Sequence, residues 1–109
     1  MNYKIETIDN FDKEIKKLNK KFPSLKTDFQ KILDNLEKEL TLADDLGNGF
    51  KKIRIDIKSK GKGARGGGRI ITYETIIAVN NKLIVFASIY NKGEYDNVDL
   101  TILKKNLGL

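Results

Sequence analysis

Two runs of this chain leave little freedom for its fold. RIITYETIIAV, residues 69–79, is rich in β-branched and aromatic side chains, and LIVFASIY, residues 83–90, is almost unbroken in its apolarity. Both have the length and composition of strands. Asn80-Asn81-Lys82 between them predicts a hairpin turn, because asparagine tolerates positive φ. A run that is apolar on both of its alternating faces must be covered on both, so LIVFASIY is expected at the interior of a sheet. FKKIRIDIK, residues 50–58, is different in kind. Ile53, Ile55 and Ile57 fall on one face, and Lys52, Arg54, Asp56 and Lys58 on the other. It predicts a strand with one dry side and one charged side.

The remaining segments supply what covers this sheet. YKIETI, residues 3–8, alternates and reads as a short strand. Asp9 or Asn10 then starts a helix through FDKEIKKLNKKF, with Phe11, Ile15, Leu18 and Phe22 on one stripe. Pro23 ends it, and Ser24 is placed to cap a second helix carrying Leu25, Phe29, Ile32, Leu33, Leu36 and Leu40. LADDLGNGF reads as a loop. Beyond the polar NKGEYDN, the residues Val98, Ile102 and Leu103 predict a short last helix, starting near Asp96, Asn97 or Asp99. The expected fold is α+β with element order βααβββα. A mostly antiparallel four-stranded sheet carries the N-terminal helical hairpin on one side, in a single domain spanning residues 1–109.

Composition removes several kinds of chemistry. The chain of 109 residues has no cysteine and no histidine. Disulfides, thiolate metal sites and the usual neutral-pH general base are therefore absent. Neither a metal site nor a cofactor is expected. The N-terminal MNYKIETIDN lacks the basic and apolar regions of a signal peptide, and no apolar stretch has the length of a membrane span, so a cytoplasmic location is expected. Charge is unevenly laid out. Residues 28–45 hold six acids and two bases, whereas residues 50–69 hold eight bases and the single acid Asp56. Such a block suits an anionic partner, nucleic acid foremost, or else a solvated lysine-rich surface.

The densest part of that block is SKGKGARGGGR, residues 59–69, in which five glycines and four cations fill eleven positions. Gly61, Gly63 and Gly66 satisfy G-x-G-x-x-G, but a strand follows them where a dinucleotide fold needs a helix. A nucleotide-hydrolase phosphate loop also fails, since Gly67 stands at the lysine position. Two readings stay open. One is an elongated, floppy hairpin connection. The other is a mobile cationic backbone that approaches a polyanion closely, with Lys58, Lys60, Lys62, Arg65 and Arg69 supplying charge.

The stretch GFKKIRIDIKSKGKGARGGGRIITY, followed by LIVFASIYNKGEYDNVDL, resembles the RelE/HigB family of bacterial toxins, most closely the HigB-like branch. A basic strand, a glycine-containing basic segment that opens onto an arginine, and a final tyrosine–lysine–glutamate segment recur in that order over roughly residues 49–100. The resemblance implies a ribosome-dependent endoribonuclease that cuts mRNA in the ribosomal A site and halts translation. It implies a cognate antitoxin as partner, of the helix-turn-helix HigA type, with operator DNA met only through that antitoxin. Ribosomal RNA and mRNA are the other partners implied, and no membrane is.

Carried onto this sequence, the resemblance assigns a catalytic set of Lys52, Arg54, Arg69 and Lys92. Cleavage by the RNA's own 2′-OH needs a base, charge stabilisation at the phosphorane and help for the leaving oxygen. Clustered cations disfavour protonation of a lysine, so Lys52 or a neighbouring amine is the expected base. Arg69 and Lys92 are expected on the phosphate, and Arg54 at the leaving group or the phosphate. Arg54 has the alternative of a surface pair with Asp56 or an N-terminal acid. Lys58, Lys60, Lys62 and Arg65 are assigned to the RNA backbone of message and ribosome. Tyr90 and Tyr95 are assigned either to base stacking or to structure, and Tyr73 to structure. Asp56 stands where the family carries a third base, which softens the field. Other functions compatible with the residues are a ParE-like gyrase poison, an RNA-binding module without chemistry, and an inactive toxin that only binds its antitoxin.

Overall fold

The structure is a computed structural model that describes residues 2–94 and 99–109. The elements in order are β1 (Asn2–Thr7), α1 (Asp9–Lys21), α2 (Leu25–Asp34), α3 (Leu36–Leu42), β2 (Asp44–Gly47), β3 (Phe50–Ile55), a 3-10 turn (Lys58–Lys60), the one-turn helix α4 (Gly63–Gly66), β4 (Gly68–Ala78), β5 (Asn81–Asn91) and α5 (Leu100–Asn106). The fold is α+β, as the pattern predicted. Its sheet has five strands in the order β1-β5-β4-β3-β2, with β1 parallel to β5 and the other pairs antiparallel. The expected four-stranded, mostly antiparallel sheet is thus corrected to a mixed five-stranded one.

The extra strand comes from the segment read as a loop. Asn48 and Gly49 both take positive φ, 55° and 86°, which turns β2 back onto β3 in a tight hairpin. The second predicted helix is two helices. At Asn35 (φ −122°, ψ 30°) the helical path breaks, and the Asn35 side chain donates to the Lys31 carbonyl. Capping also departs from expectation. The first helix begins at Asp9 behind Ile8, and neither Ile8 nor Ser24 caps through its side chain. Asn10, in the first turn, reaches instead to Ala87 O and to Glu14. Asp99 does cap α5, accepting from the Thr101 amide at 2.9 Å.

The helices cover both faces, not one. α1 to α3 bury Phe11, Leu18, Leu25, Ile32, Leu36 and Leu40 against Ile53, Ile55, Ile70, Ile84, Phe86 and Ile89. Phe11, Phe29 and Phe86 meet there with ring centroids 5.2–5.6 Å apart. The opposite face holds a smaller cluster of Phe50, Ile71, Ala87 and Tyr90, covered by Leu103 of α5. Ile102, expected in the same apolar stripe, is exposed. LIVFASIY is internal as expected, flanked by β1 and β4. β1 covers β5 only as far as Phe86. Beyond that point α1 completes the edge, with Asn10 donating to Ala87 O while Glu14 accepts from Ser88 Oγ and the Ile89 amide. Among the described residues, no helix is long and apolar enough to cross a membrane.

Candidate nucleic-acid interface

Strand alternation sets the site. On β3, Ile53 and Ile55 turn toward the helices, so Lys52 and Arg54 turn to the other face. Arg54 lies directly opposite Arg69 on β4, and Arg69 directly opposite Tyr90 on β5. Arg54, Arg69 and Tyr90 therefore form a row across three strands, with Lys52 one step along the same face. Directly opposed side chains in such a ladder lie roughly 5 Å apart at Cβ, so two guanidinium groups begin as close neighbours. Burial and the nearby Arg54 charge both act to weaken proton binding at Arg69, which nonetheless stays a cation.

The Arg69 side chain is buried and folds back on the glycine-rich segment. Its Nη1 donates to Ala64 O at 3.0 Å and Gly68 O at 2.8 Å, and its Nη2 to Arg65 O at 2.9 Å. Three of its donors thus go to carbonyls, two at the end of α4 and one at the start of β4. Tyr90 is also buried, within the cluster under Leu103, and burial raises its phenol above the ordinary value while Arg69 pulls the other way. Tyr73 packs on Phe50 with ring centroids 5.1 Å apart, a structural role as expected. Tyr95 lies outside the described residues.

The glycine-rich segment is folded, where one expectation was an elongated connection. A 3-10 turn at Lys58–Lys60 ends on Gly61 at φ 72°, and α4 follows. Gly67 is required by crowding: a Cβ there would collide with the Ile55 carbonyl and stand 3.0 Å from both Gly63 O and Ile57 N. The start of the segment is anchored as well. Buried Asp28 accepts from Ser24 Oγ at 2.6 Å and from the Lys58 amide at 3.0 Å, and the Ser59 amide donates to Ser24 Oγ.

The cations of the basic block accordingly divide. Lys60 and Arg69 are turned inward, and Lys58 pairs with Asp56 at 2.7 Å, which lifts its proton affinity. Arg54 pairs with neither of the alternatives considered for it, Asp56 or an N-terminal acid, among the described residues. Lys52, Arg54, Lys62, Arg65 and Lys92 form no ion pair with a carboxylate among the described residues. Lys92 follows β5 by one residue, bonded through its amide to Gly67 O at 3.1 Å, and strand alternation gives it the parity of Tyr90.

Because β2 pairs only as far as Asp44–Lys52, the outer edge of β3 beyond that point is open. A groove of about 500 Å³ runs along it, lined by Lys52, Arg54, Asp56 and Lys58 and, from the helical side, by Asp28, Lys31 and Leu42. The four residues expected to act together therefore do not share one concavity: Lys52 and Arg54 line the groove, while Arg69 and Lys92 do not. Asp44, missed in the sequence, stands opposite Lys52 and brings an acid to the same face. The signal for it was the Asn48-Gly49 turn, which fixes the β2–β3 register. No protein-family model matches the chain, and no curated protein matches it.

Proposed function

We propose that the protein binds RNA through this cationic face and acts as a ribosome-dependent mRNA endonuclease of the RelE/HigB toxin kind, held inactive by a cognate antitoxin. What supports the reading is the arrangement of Lys52, Arg54 and Arg69 on one sheet face beside a folded, glycine-rich basic segment. In the reaction, the ribose 2′-oxygen attacks the adjacent phosphorus and gives up its proton. The bond from phosphorus to the 5′-oxygen breaks, leaving a 2′,3′-cyclic phosphate, and the 5′-oxygen takes a proton. Lys52 and Arg54, in no ion pair among the described residues, carry positive charge where a phosphate can lie across the open edge of β3. Arg69 contributes from beneath, by fixing the turn that presents Arg65. Asp44 stands directly opposite Lys52 on the neighbouring strand, so it joins Lys52 as a candidate for proton transfer.

The test uses programmed ribosomes carrying a defined mRNA, with cleavage ends mapped by primer extension. Cuts within the A-site codon are expected, and Arg54→Ala should slow them by about 10²-fold or more. Intact message with wild-type protein bound to it overturns the nuclease reading. One observation favours a second reading, an RNA-binding module without chemistry: the guanidinium of Arg69 is already held by three carbonyls. Binding without cleavage, and with no loss of affinity in Arg69→Lys, would select it.

A further inference from the structure

Lys60 is one of the cations in the basic block, and its ammonium has three donors. All three have protein acceptors: Gly67 O at 3.2 Å, Asn91 Oδ1 at 2.5 Å and Lys92 O at 2.9 Å. Two of these belong to the end of β5 and one to the glycine-rich segment. The Asn91 side chain is buried, and its other end donates through Nδ2 to Glu94 Oε1 at 3.1 Å. Glu94 in turn accepts from Lys21 Nζ of α1, also at 3.1 Å. The chain Lys60–Asn91–Glu94–Lys21 therefore ties the glycine-rich segment, the end of β5 and the first helix into one network. It uses both ends of an amide, which neither aspartate nor leucine can reproduce.

We infer that Lys60 is a positioning residue and not an RNA contact: with Asn91 it clamps the glycine-rich segment to the end of β5 and so fixes Arg65 and Lys92 for the same strand of RNA. While the clamp stands, Lys60 has no hydrogen to offer a phosphate. The inference rests on the RNA-binding reading above for its purpose, but its structural half stands apart from it. The Lys92 amide, bonded to Gly67 O across the clamp, is the natural reporter.

The test is a pair of variants, Lys60→Met and Asn91→Leu, with their double mutant. Amide exchange is followed at Lys92, and affinity for a short single-stranded RNA is followed against salt. Each single variant should speed exchange at Lys92 by about ten- to a hundredfold, and the double should add little, because both break the same network. Both should also weaken RNA binding, although Asn91 carries no charge that a phosphate could meet. The clamp is overturned if Lys60→Met leaves exchange at Lys92 unchanged. It is equally overturned if Asn91→Leu is silent in binding while Lys60→Met lowers the salt slope by about one, which is the mark of a lost phosphate contact. If wild-type protein does not bind the RNA at all, the functional reading fails, and the exchange data still judge the clamp.

Discussion

The two ends of the β4–β5 hairpin are built on opposite principles. At the Gly68–Asn91 end the backbone is crowded, glycine is obligatory, and two cations turn inward to hold carbonyls. At the other end Asn80 makes the turn at φ 61°, a bulge lies between Ile76 and Ala78, and Ile76, Ile77 and Val79 are 74%, 52% and 87% exposed. The charged end is thus the constrained one, and the apolar end stands in solvent. Charge and flexibility are poor guides to each other here. A cation-rich, glycine-rich segment can fold by turning its cations onto nearby carbonyls, whereas β-branched residues at a tip have nothing to pack against.

The largest expected effect tests the crowded end. Gly67→Ala forces a Cβ into the backbone of β3, so it should cost about 3 kcal/mol or more in denaturant unfolding. A loss below 1 kcal/mol, on the order of a surface change, would mean that this end is loose after all. Arg69→Ala comes next. It removes the donors held by two carbonyls of α4 and one of β4, and should cost about 2 kcal/mol. Arg69→Lys should recover little of it, because an ammonium cannot reproduce the fork. A full rescue by lysine would show that charge, not geometry, holds the turn.

A smaller effect is expected at Glu14, which completes the β5 edge on the constrained half. Burial raises its carboxyl above the ordinary value, against the opposing hydrogen bonds from Ser88, Ile89 and Asn10. The native state therefore keeps that proton to higher pH than the unfolded chain. Its stabilising contribution is complete below the ordinary carboxylate range and is lost as pH rises through the raised native value. Glu14→Gln should remove this slope from a series of urea midpoints over about pH 4 to 8, with a gain of under about 1 kcal/mol at neutral pH. An unchanged slope would assign the pH dependence elsewhere. The smallest change belongs to the tip: Ile76→Thr with Val79→Thr should alter stability by no more than about 0.5 kcal/mol. A clear loss would reveal packing that the exposed tip does not display.

Much of the scaffold was legible in the residues, and for physical reasons. Both long strands declare themselves by β-branching, α1 and α2 by their apolar stripes, and α5 by Leu103 with Asp99 at its cap. β2 was hidden because Asp44-Asp45-Leu46-Gly47 has low strand propensity and is held only by its register to β3. The break at Asn35 was hidden by a stripe of leucines that continues across it. Within the candidate site, alternation correctly put Lys52 and Arg54 on one face. It did not foretell that Lys60 would close onto Asn91, thirty-one residues away. No local pattern encodes such a contact: a lysine bound to carbonyls and a lysine open to solvent are the same letter.

The parallel pairing of β1 with β5 has a consequence for how the molecule is made. Asn2 to Thr7 align with Asn81 to Phe86, so β1 can find its neighbour only after β5 has been synthesised behind it. Such non-local contacts slow folding, because a long loop must close before they reward it. Until β5 is made, the sheet order gives β1 no neighbour to pair with.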